Sequence, residues 1–487
     1  MTRNRPRALE ALVFVVGAAS LGAEIAAARL LAPWFGASTI VWANTIATVL
    51  CALSAGYWFG GRLADRDPTL RGLCRLVLGA AGLLALVPFI AGPFLRESVE
   101  ALDSVSAGAF VGSLLAVCVL IAAPVFLLGA VAPYAIRLRV SRVEEAGSIA
   151  GRLYAISTLG SLVGVFAAAL ALVPFVGTRR TFLVFALALA LVAVAVGLRR
   201  RALVAPLLLA GLIAIPVGSV KATGEGRVIW ERETEYQYAR VVERDDGLRL
   251  LELNEGQAVH SRYRAGEWLT GDYWDEPLVL PFAARARAPR SIAILGGAAG
   301  TVARAYGRFH PRTRVDLVEI DGELLDVGRE LFDLRGPDLH LHRDDARPFL
   351  RRSSRRWDVI YVDAYRQPYI PFYLATREFF ELARDRLHPG GSVIVNVGHP
   401  EDSDRLEQVL TATMGAVFDT VLRDPSEDTN TQLVATDAAG AGAAALRDEA
   451  AARLTPGLRG GRVYADDEAP VEWLIDASIV EVAADGE

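Results

Sequence analysis

Five acidic residues and one glycine turn carry most of the chemistry legible in this chain. Gly296, Gly297 and Gly300 follow directly on the apolar run Ile292-Ala293-Ile294-Leu295. Glu319 and Asp321 stand at the end of a second run, Val315 to Ile320, and Asp363 follows a third, Trp357 to Val362. Asp344 and Asp345 lie between them in the chain. Glycine lets backbone approach a ligand closely, and the start of a following helix offers free N–H groups. An acid about 20 residues further on, at the end of the next strand, can accept hydrogen bonds from two ribose hydroxyls. The dinucleotide pattern G-x-G-x-x-G would need glycine at position 295, where Leu295 stands. The spacing therefore points to a nucleoside rather than a pyrophosphate; a tight turn without any ligand is the alternative.

The elements that must hold these residues form a βαβ unit. Ser291 to Leu295 reads as a buried parallel strand, Thr301 to Phe309 as a helix and Val315 to Ile320 as the next strand. Trp357 to Val362 and Gly391 to Val397 read as later strands, with His388-Pro389-Gly390-Gly391 closing the helix between them. Ligands of open α/β sheets sit at the carboxyl ends of the strands. The glycine turn and the acids all fall at such ends, on one rim. Ahead of this domain, Arg227 to Val259 alternates like a set of hairpins, and Asp246-Gly247 is a turn signal. The expectation is a small antiparallel β domain over 221–288 and a Rossmann-like, class I methyltransferase-type α/β domain over 289–487.

Residues 1–220 belong to a different environment. They hold 18 arginines and 9 acids, a net of +9, whereas the remainder holds 33 basic and 47 acidic residues, a net of −14. The mean hydropathy of the whole chain is +0.32, too apolar for an ordinary soluble protein. Apolar runs near 9–31, 38–60, 72–95, 107–135, 150–175, 181–198 and 202–219 each approach the ~20 residues that cross a bilayer. The expectation is a multi-pass helical membrane domain of about seven spans. Arg3, Arg5 and Arg7, then Arg62 to Arg75, Arg137 to Arg152 and Arg199 to Arg201, place the amino terminus in the cytoplasm. Seven crossings would put the α/β domain outside. The last run is short, contains Pro206 and Pro216, and as a re-entrant segment would leave that domain cytoplasmic. Glu24, inside the first run, reads either as functional or as a polar contact between helices. Cys51, Cys74 and Cys118 lie only in apolar runs, so no disulfide framework exists. No Cys/His cluster has metal-ligand spacing, and the acidic soluble half argues against nucleic acid.

The motifs ILGGAAGT, LVEID, DDA, WDVIYVDAY and LHPGG resemble the spermidine synthase family of polyamine aminopropyltransferases. LGAEIAAARLLAPWFG, TGDYWD, IPFYLATREFF and DDEAPVEWL resemble its membrane-fused branch. The resemblance implies transfer of an aminopropyl group from decarboxylated S-adenosylmethionine, a co-substrate, to an amine, with methylthioadenosine as by-product. It implies no permanently bound cofactor and no metal. It implies a nucleoside side made of Gln237, Gly296, Gly297, Gly300, Glu319, Asp321, Asp344 and Asp345. Within that side Glu319 would hold the ribose and Asp345 the adenine amino group. Asp363 would be the base, and Tyr273, Asp275, Tyr365 and Pro371 would form the acceptor side. Small-molecule substrates and a lipid bilayer are the implied partners; a homodimer stays open.

Departures from the family pattern fall on the acceptor side. Ala299 stands where the family carries Asp, and Arg366 replaces the second acid of D-x-x-D. Trp274 replaces a His and His260 a Gln. Restoring carboxylates by Ala299→Asp with Arg366→Asp is therefore expected to improve use of putrescine. Two other functions remain open: methyl or other transfer from S-adenosylmethionine, and transport or sensing with a non-catalytic binding domain.

Overall fold

The computed structural model describes residues 5–35, 39–103, 109–198, 200–214, 226–254, 259–365, 370–401, 403–439 and 453–485. Met1–Ala222 and Thr223–Glu487 form two compact units.

The first unit is helical. It contains α1 (Arg5–Phe35), α2 (Thr39–Arg66), α3 (Leu70–Asp103), α4 (Ala109–Leu120), α5 (Ala122–Gly129), α6 (Val131–Arg139), α7 (Ala146–Ala167), α8 (Val173–Val176), α9 (Thr178–Gly197) and α10 (Val204–Ala214). Small residues let α1 and α7 meet backbone to backbone. A Cβ on Gly160 would lie 2.1 Å from the Phe14 carbonyl oxygen, and one on Gly164 2.1 Å from that of Ala18. Ser161 Oγ donates to the Gly17 carbonyl across the same seam at 3.2 Å. Gly56 and Gly60 of α2 meet the Phe126 and Ala130 carbonyls in the same way. Close approach through small residues and interhelical hydrogen bonds is how helices associate where surrounding solvent is apolar.

Among the described residues, five stretches are long and apolar enough to cross a bilayer: Arg7–Ala32, Leu70–Leu95, Ala122–Arg139, Val143–Val176 and Thr178–Gly197. Of the about seven expected spans, five have such a helix. Within the run near 107–135 the helix is interrupted at Ile121, and the stretch long and apolar enough to cross is Ala122–Arg139. The run near 38–60 is helical, but α2 carries buried Asn44, Thr45 and Thr48. Asn44 Nδ2 donates to Ser113 Oγ of α4 at 2.9 Å. Of the last run, the described residues Val204–Ala214 form α10.

The second unit has two sheets. The smaller is an antiparallel meander of β1 (Arg227–Glu233), β2 (Tyr238–Glu243), β3 (Arg249–Leu253) and β4 (Val259–Tyr263). Its Asp246-Gly247 turn joins β2 to β3, with Gly247 at φ +80. The larger contains β5 (Ser291–Leu295), β6 (Arg314–Glu319), β7 (Leu339–Arg343), β8 (Trp357–Val362), β9 (Leu387–Gly398), β10 (Thr420–Glu427), β11 (Asn430–Thr436) and β12 (Thr455–Pro456). Their order is β12-β10-β11-β9-β8-β5-β6-β7. Strands β9, β8, β5, β6 and β7 are parallel, and β10 to β12 add an antiparallel margin. The helices are α11 (Thr301–Phe309), α12 (Gly322–Leu331), α13 (Ala346–Arg352), α14 (Arg377–Asp385), α15 (Arg405–Gly415) and α16 (Val471–Asp485). All six residues of β8 are buried, as continuous apolar strands must be when both faces are covered.

His388 to Gly391 differ from the expectation. They do not close a helix, since α14 ends at Asp385. They belong to the start of β9, where the pairing with β8 jumps from Trp357–Leu387 to Val359–Ser392. The small sheet shares its core with the large domain: Ala239, Val241, Leu251 and Leu253 cluster with Ala299, Leu324, Val327 and Phe332.

One buried ion pair ties α15 to the margin of the sheet. Glu407 is 0% exposed, and Arg423 reaches both its oxygens, one at 2.7 Å. Arg423→Ala strands a buried carboxylate, which costs about 3–5 kcal/mol. The expected outcome is a clearly lowered melting temperature of the full chain in detergent; an unchanged melting curve would contradict this reading.

Candidate active site at the carboxyl edge of the parallel sheet

Each strand end delivers one group to the rim. After β5 the chain turns through Gly296, at φ +82, and Gly300, at φ +91, which starts α11. A Cβ on Gly296 would lie 2.5 Å from the Asp363 carbonyl oxygen and from Ala364 Cα. Only glycine fits both that space and that backbone angle. Glu319, ending β6, is buried and grips the turn from behind. Its Oε2 accepts from the Gly297 and Ala298 N–H groups at 3.2 and 2.9 Å, and its Oε1 from the Asp321 N–H at 3.0 Å. Burial raises its pKa above the ordinary carboxylate range.

Asp321, Asp344 and Asp345 are occupied by their own loops. Asp321 caps α12 and also accepts from Thr234 Oγ1 at 2.6 Å and Gln237 Nε2 at 3.3 Å. It thereby pins the β1–β2 connection to the end of β6. Asp345 caps α13 and accepts from Tyr373 OH at 2.9 Å. Asp344 accepts from the Asp345 N–H at 2.9 Å and pairs with Arg352. The carboxyl-terminal segment is tied to this region through Asp466, which Arg347 of α13 reaches at 2.7 and 2.6 Å and Thr376 at 2.7 Å.

Asp363, one residue past β8, is set up differently. Its Oδ1 accepts from Asn396 Nδ2 at 2.8 Å and its Oδ2 from Tyr361 OH at 3.2 Å. Burial pushes its pKa up to about 6, and those two donors oppose the rise. Asn396 is held in turn: its Oδ1 accepts from Asn430 Nδ2 at 3.0 Å and Gln432 Nε2 at 2.8 Å. With both donors spent on that oxygen's side, the Asn396 amide presents its nitrogen to Asp363.

A cavity of about 470 Å³ lies against Asp363. Gly296, Gly297, Tyr273, Tyr365 and Asn396 line it, with His260, Trp274, His399 and Thr429. Of the expected site residues, Gly296, Gly297, Asp363, Tyr273 and Tyr365 meet on this wall. Gln237, Gly300, Glu319, Asp321, Asp344 and Asp345 stand outside it, around the glycine turn and the ends of β6 and β7. Tyr365 OH donates to the Asn396 carbonyl at 2.9 Å.

Three acceptor-side expectations need correction. Asp275 faces its own loop, accepting from the Thr270 and Gly271 N–H groups and from Thr270 Oγ1 at 2.8–3.1 Å. Pro371 does not line the cavity; it starts the short turn Phe372–Leu374. Ala299 is 1% exposed and sits in the apolar cluster shared with the small sheet. A carboxylate there would be buried among aliphatic side chains, so Ala299→Asp is a destabilising change rather than a repair of an amine site. Arg366 lies outside the described residues.

Sequence reading missed Asn396, Asn430, Gln432 and Thr429. Asn396 had a signal of the same kind as Asp363: a polar residue closing the apolar run Val393-Ile394-Val395. Asn430, Gln432 and Thr429 arrive through the antiparallel margin and had none.

The fold is the Rossmann-like, methyltransferase type, with a small antiparallel sheet attached and a nucleoside-compatible turn beside a tuned carboxylate. A family model describing a spermine/spermidine synthase domain matches residues 279–423. The chain is 34% identical over 215 residues to a probable polyamine aminopropyl transferase of Bifidobacterium longum, covering 43% of this chain and 47% of that protein. It is 29% identical over 429 residues to a polyamine aminopropyltransferase of Mycobacterium tuberculosis, covering 80% of this chain and 77% of that protein. That second match necessarily extends into the helical unit. Among solved structures, a probable spermidine synthase from Corynebacterium glutamicum is similar at 27% identity with a TM-score of 0.38, covering 44% of this chain and 81% of its own. The chain spans about half the length of the Bifidobacterium relative and 66% of a polyamine aminopropyltransferase of Vibrio vulnificus. Within the second unit, residues 279–423 are thus similar to a spermine/spermidine synthase domain.

The two donors on Asp363 yield a prediction with a definite sign. Tyr361→Phe removes one hydrogen bond from the charged form only. Ionisation then costs more, and the titration midpoint of Asp363 moves above about 6. Carboxyl-carbon NMR titration of the wild type and the variant reads this directly; a midpoint that falls would contradict it.

Proposed function

We propose that this chain transfers the aminopropyl group of decarboxylated S-adenosylmethionine to an amine. The observation that carries the reading is Asp363: a carboxylate tuned to about 6, held by two donors on a cavity wall beside the glycine turn. A protonated amine is no nucleophile. A carboxylate of this kind binds the ammonium and accepts its proton. The freed nitrogen lone pair attacks the aminopropyl carbon attached to sulfur. The carbon–sulfur bond breaks with its electrons going to sulfur, and the sulfonium becomes the neutral thioether of methylthioadenosine. That leaving group needs no acid. Holding the two substrates in line supplies much of the rate.

In this reading Glu319 holds the ribose hydroxyls, Asp345 the adenine amino group, and Gln237, through Asp321, shapes the loop over the nucleoside. The likeness of the carboxyl-terminal part to aminopropyltransferases supports it. The helical unit is read as a membrane anchor with the transferase in the cytoplasm, where its donor is made. A carboxyl-terminal reporter fusion should be active as a cytoplasmic reporter; activity only as a periplasmic one removes the assignment.

Incubating the purified full chain with decarboxylated S-adenosylmethionine and a panel of amines, with products identified by mass, tests the reaction. Asp363→Asn should keep methylthioadenosine binding and lose roughly 10²-fold or more in turnover, because an amide cannot take the proton. Wild-type activity should fall as pH drops through about 6, where Asp363 becomes protonated. Glu319→Ala should weaken methylthioadenosine binding by about 1.5–3 kcal/mol, as loss of charged hydrogen bonds does. Calorimetry showing unchanged affinity in a folded variant would remove the ribose assignment.

A further inference from the structure

Arg347 gathers three stretches of chain that are distant in sequence. It lies in the first turn of α13, whose cap is Asp345. Its Nη1 donates to Asp466 Oδ1 at 2.7 Å and to the Tyr373 carbonyl at 3.0 Å, and its Nη2 donates to Asp466 Oδ2 at 2.6 Å. Two parallel bonds between a planar guanidinium and a carboxylate fix orientation as well as distance. Asp466 is held from its other side too. Its Oδ1 accepts from Thr376 Oγ1 at 2.7 Å, and its N–H donates to Glu378 Oε2 at 3.0 Å. One step away, the Arg377 N–H donates to the Tyr464 carbonyl at 2.8 Å. The Asp466 side chain is 48% exposed, so the ion pair adds little to stability and its weight lies in geometry.

Tyr373 carries that order to the rim. Arg347 holds its carbonyl, and its hydroxyl donates to Asp345 Oδ2 at 2.9 Å. The other oxygen of Asp345 accepts from the Arg347 N–H at 3.1 Å. One oxygen is thus fixed by the helix cap and the other by Tyr373, which sets the plane of the carboxylate. Each oxygen has two lone pairs, so a further donor can still be accepted in that plane. Asp466 lies beyond residues 279–423, which the family model matches. We propose, resting on the transferase reading above, that Asp466 is a positioning residue for the nucleoside: through Arg347 and Tyr373 it aims Asp345 at the 6-amino group of the base. The site then selects a 6-aminopurine over a 6-oxopurine, whose oxygen would face the carboxylate, and part of that selectivity is set from the carboxyl-terminal segment.

The test uses a matched pair, methylthioadenosine and its 6-oxo counterpart methylthioinosine. Each is titrated calorimetrically into the full chain in nanodiscs. The wild type is expected to prefer methylthioadenosine by roughly tenfold or more, as a site built to accept a ligand N–H rejects the analogue lacking it. Asp466→Asn should cut that preference by roughly fivefold or more through weaker methylthioadenosine binding, with methylthioinosine affinity nearly unchanged. A merely structural role would weaken both nucleosides alike and leave the ratio unmoved. Tyr373→Phe leaves Arg347 and Asp466 in place and should lower the ratio in the same way, so the test stands even if Asp466→Asn fails to fold. An unmoved ratio in a folded variant overturns the inference, and so does a wild type that shows no preference or binds neither nucleoside. Turnover with decarboxylated S-adenosylmethionine is measured separately. A ratio that falls in the variants, with no aminopropyl transfer by the wild type, leaves the inference standing and refutes the transferase reading. Transfer with an unmoved ratio does the reverse.

Discussion

The contact on which the rest of the site depends is the approach of Gly296 to the backbone of Asp363 and Ala364. Strands β5 and β8 are neighbours in parallel register, so their carboxyl ends emerge side by side. The Asp363 N–H donates to the Leu295 carbonyl at 2.9 Å, which carries the ladder one step past the strands. The chain after β5 must then leave without displacing the chain after β8. A bare Cα at φ +82 does so; any Cβ would lie 2.5 Å from the neighbouring backbone. The carboxylate and the glycine turn are therefore held together by main chain rather than by a side-chain contact. That gives the rim a rigidity that loops alone would lack.

The acids on the rim divide their work according to burial and partners. Asp321 and Asp345 are helix caps, and their fixed loops set the shape around the turn. Glu319 braces the turn through three backbone N–H groups, which favour its charged form and oppose the burial that raises its pKa. Asp363 has only two donors against strong burial, so its pKa stays high enough to exchange a proton near neutrality. Residues of the same chemical type thus meet different environments through burial and the donors around them. The amide chain Gln432–Asn396–Asp363 extends that control to the antiparallel margin of the sheet.

The two units solve their packing by different means. In the second, apolar strands are covered on both faces, and the small sheet contributes to a shared core. In the first, the long helices are apolar on most of their faces, so hydrophobicity alone does not choose the seams. Glycine placement chooses them, at Gly160 and Gly164 against α1 and at Gly56 and Gly60 against α5 and the start of α6.

The sequence by itself determined what is local and periodic. The apolar runs of β5, β6 and β8, the helix Thr301–Phe309, the glycine turn and the polar residue closing each strand were legible, because period and strand-end placement are short-range properties. So was the partition into an apolar, basic half and an acidic half. Tertiary structure decided the rest. Whether Asp275 faced a ligand or its own loop depended on the turn at Thr270 and Gly271. Whether Ala299 faced a cavity or a core depended on the small sheet packing beneath the turn. Asn430 and Gln432 reach the site only because β11 pairs with β9, more than 30 residues away in the chain. Such pairings join residues with no shared local pattern, and only the folded sheet brings them to one carboxylate.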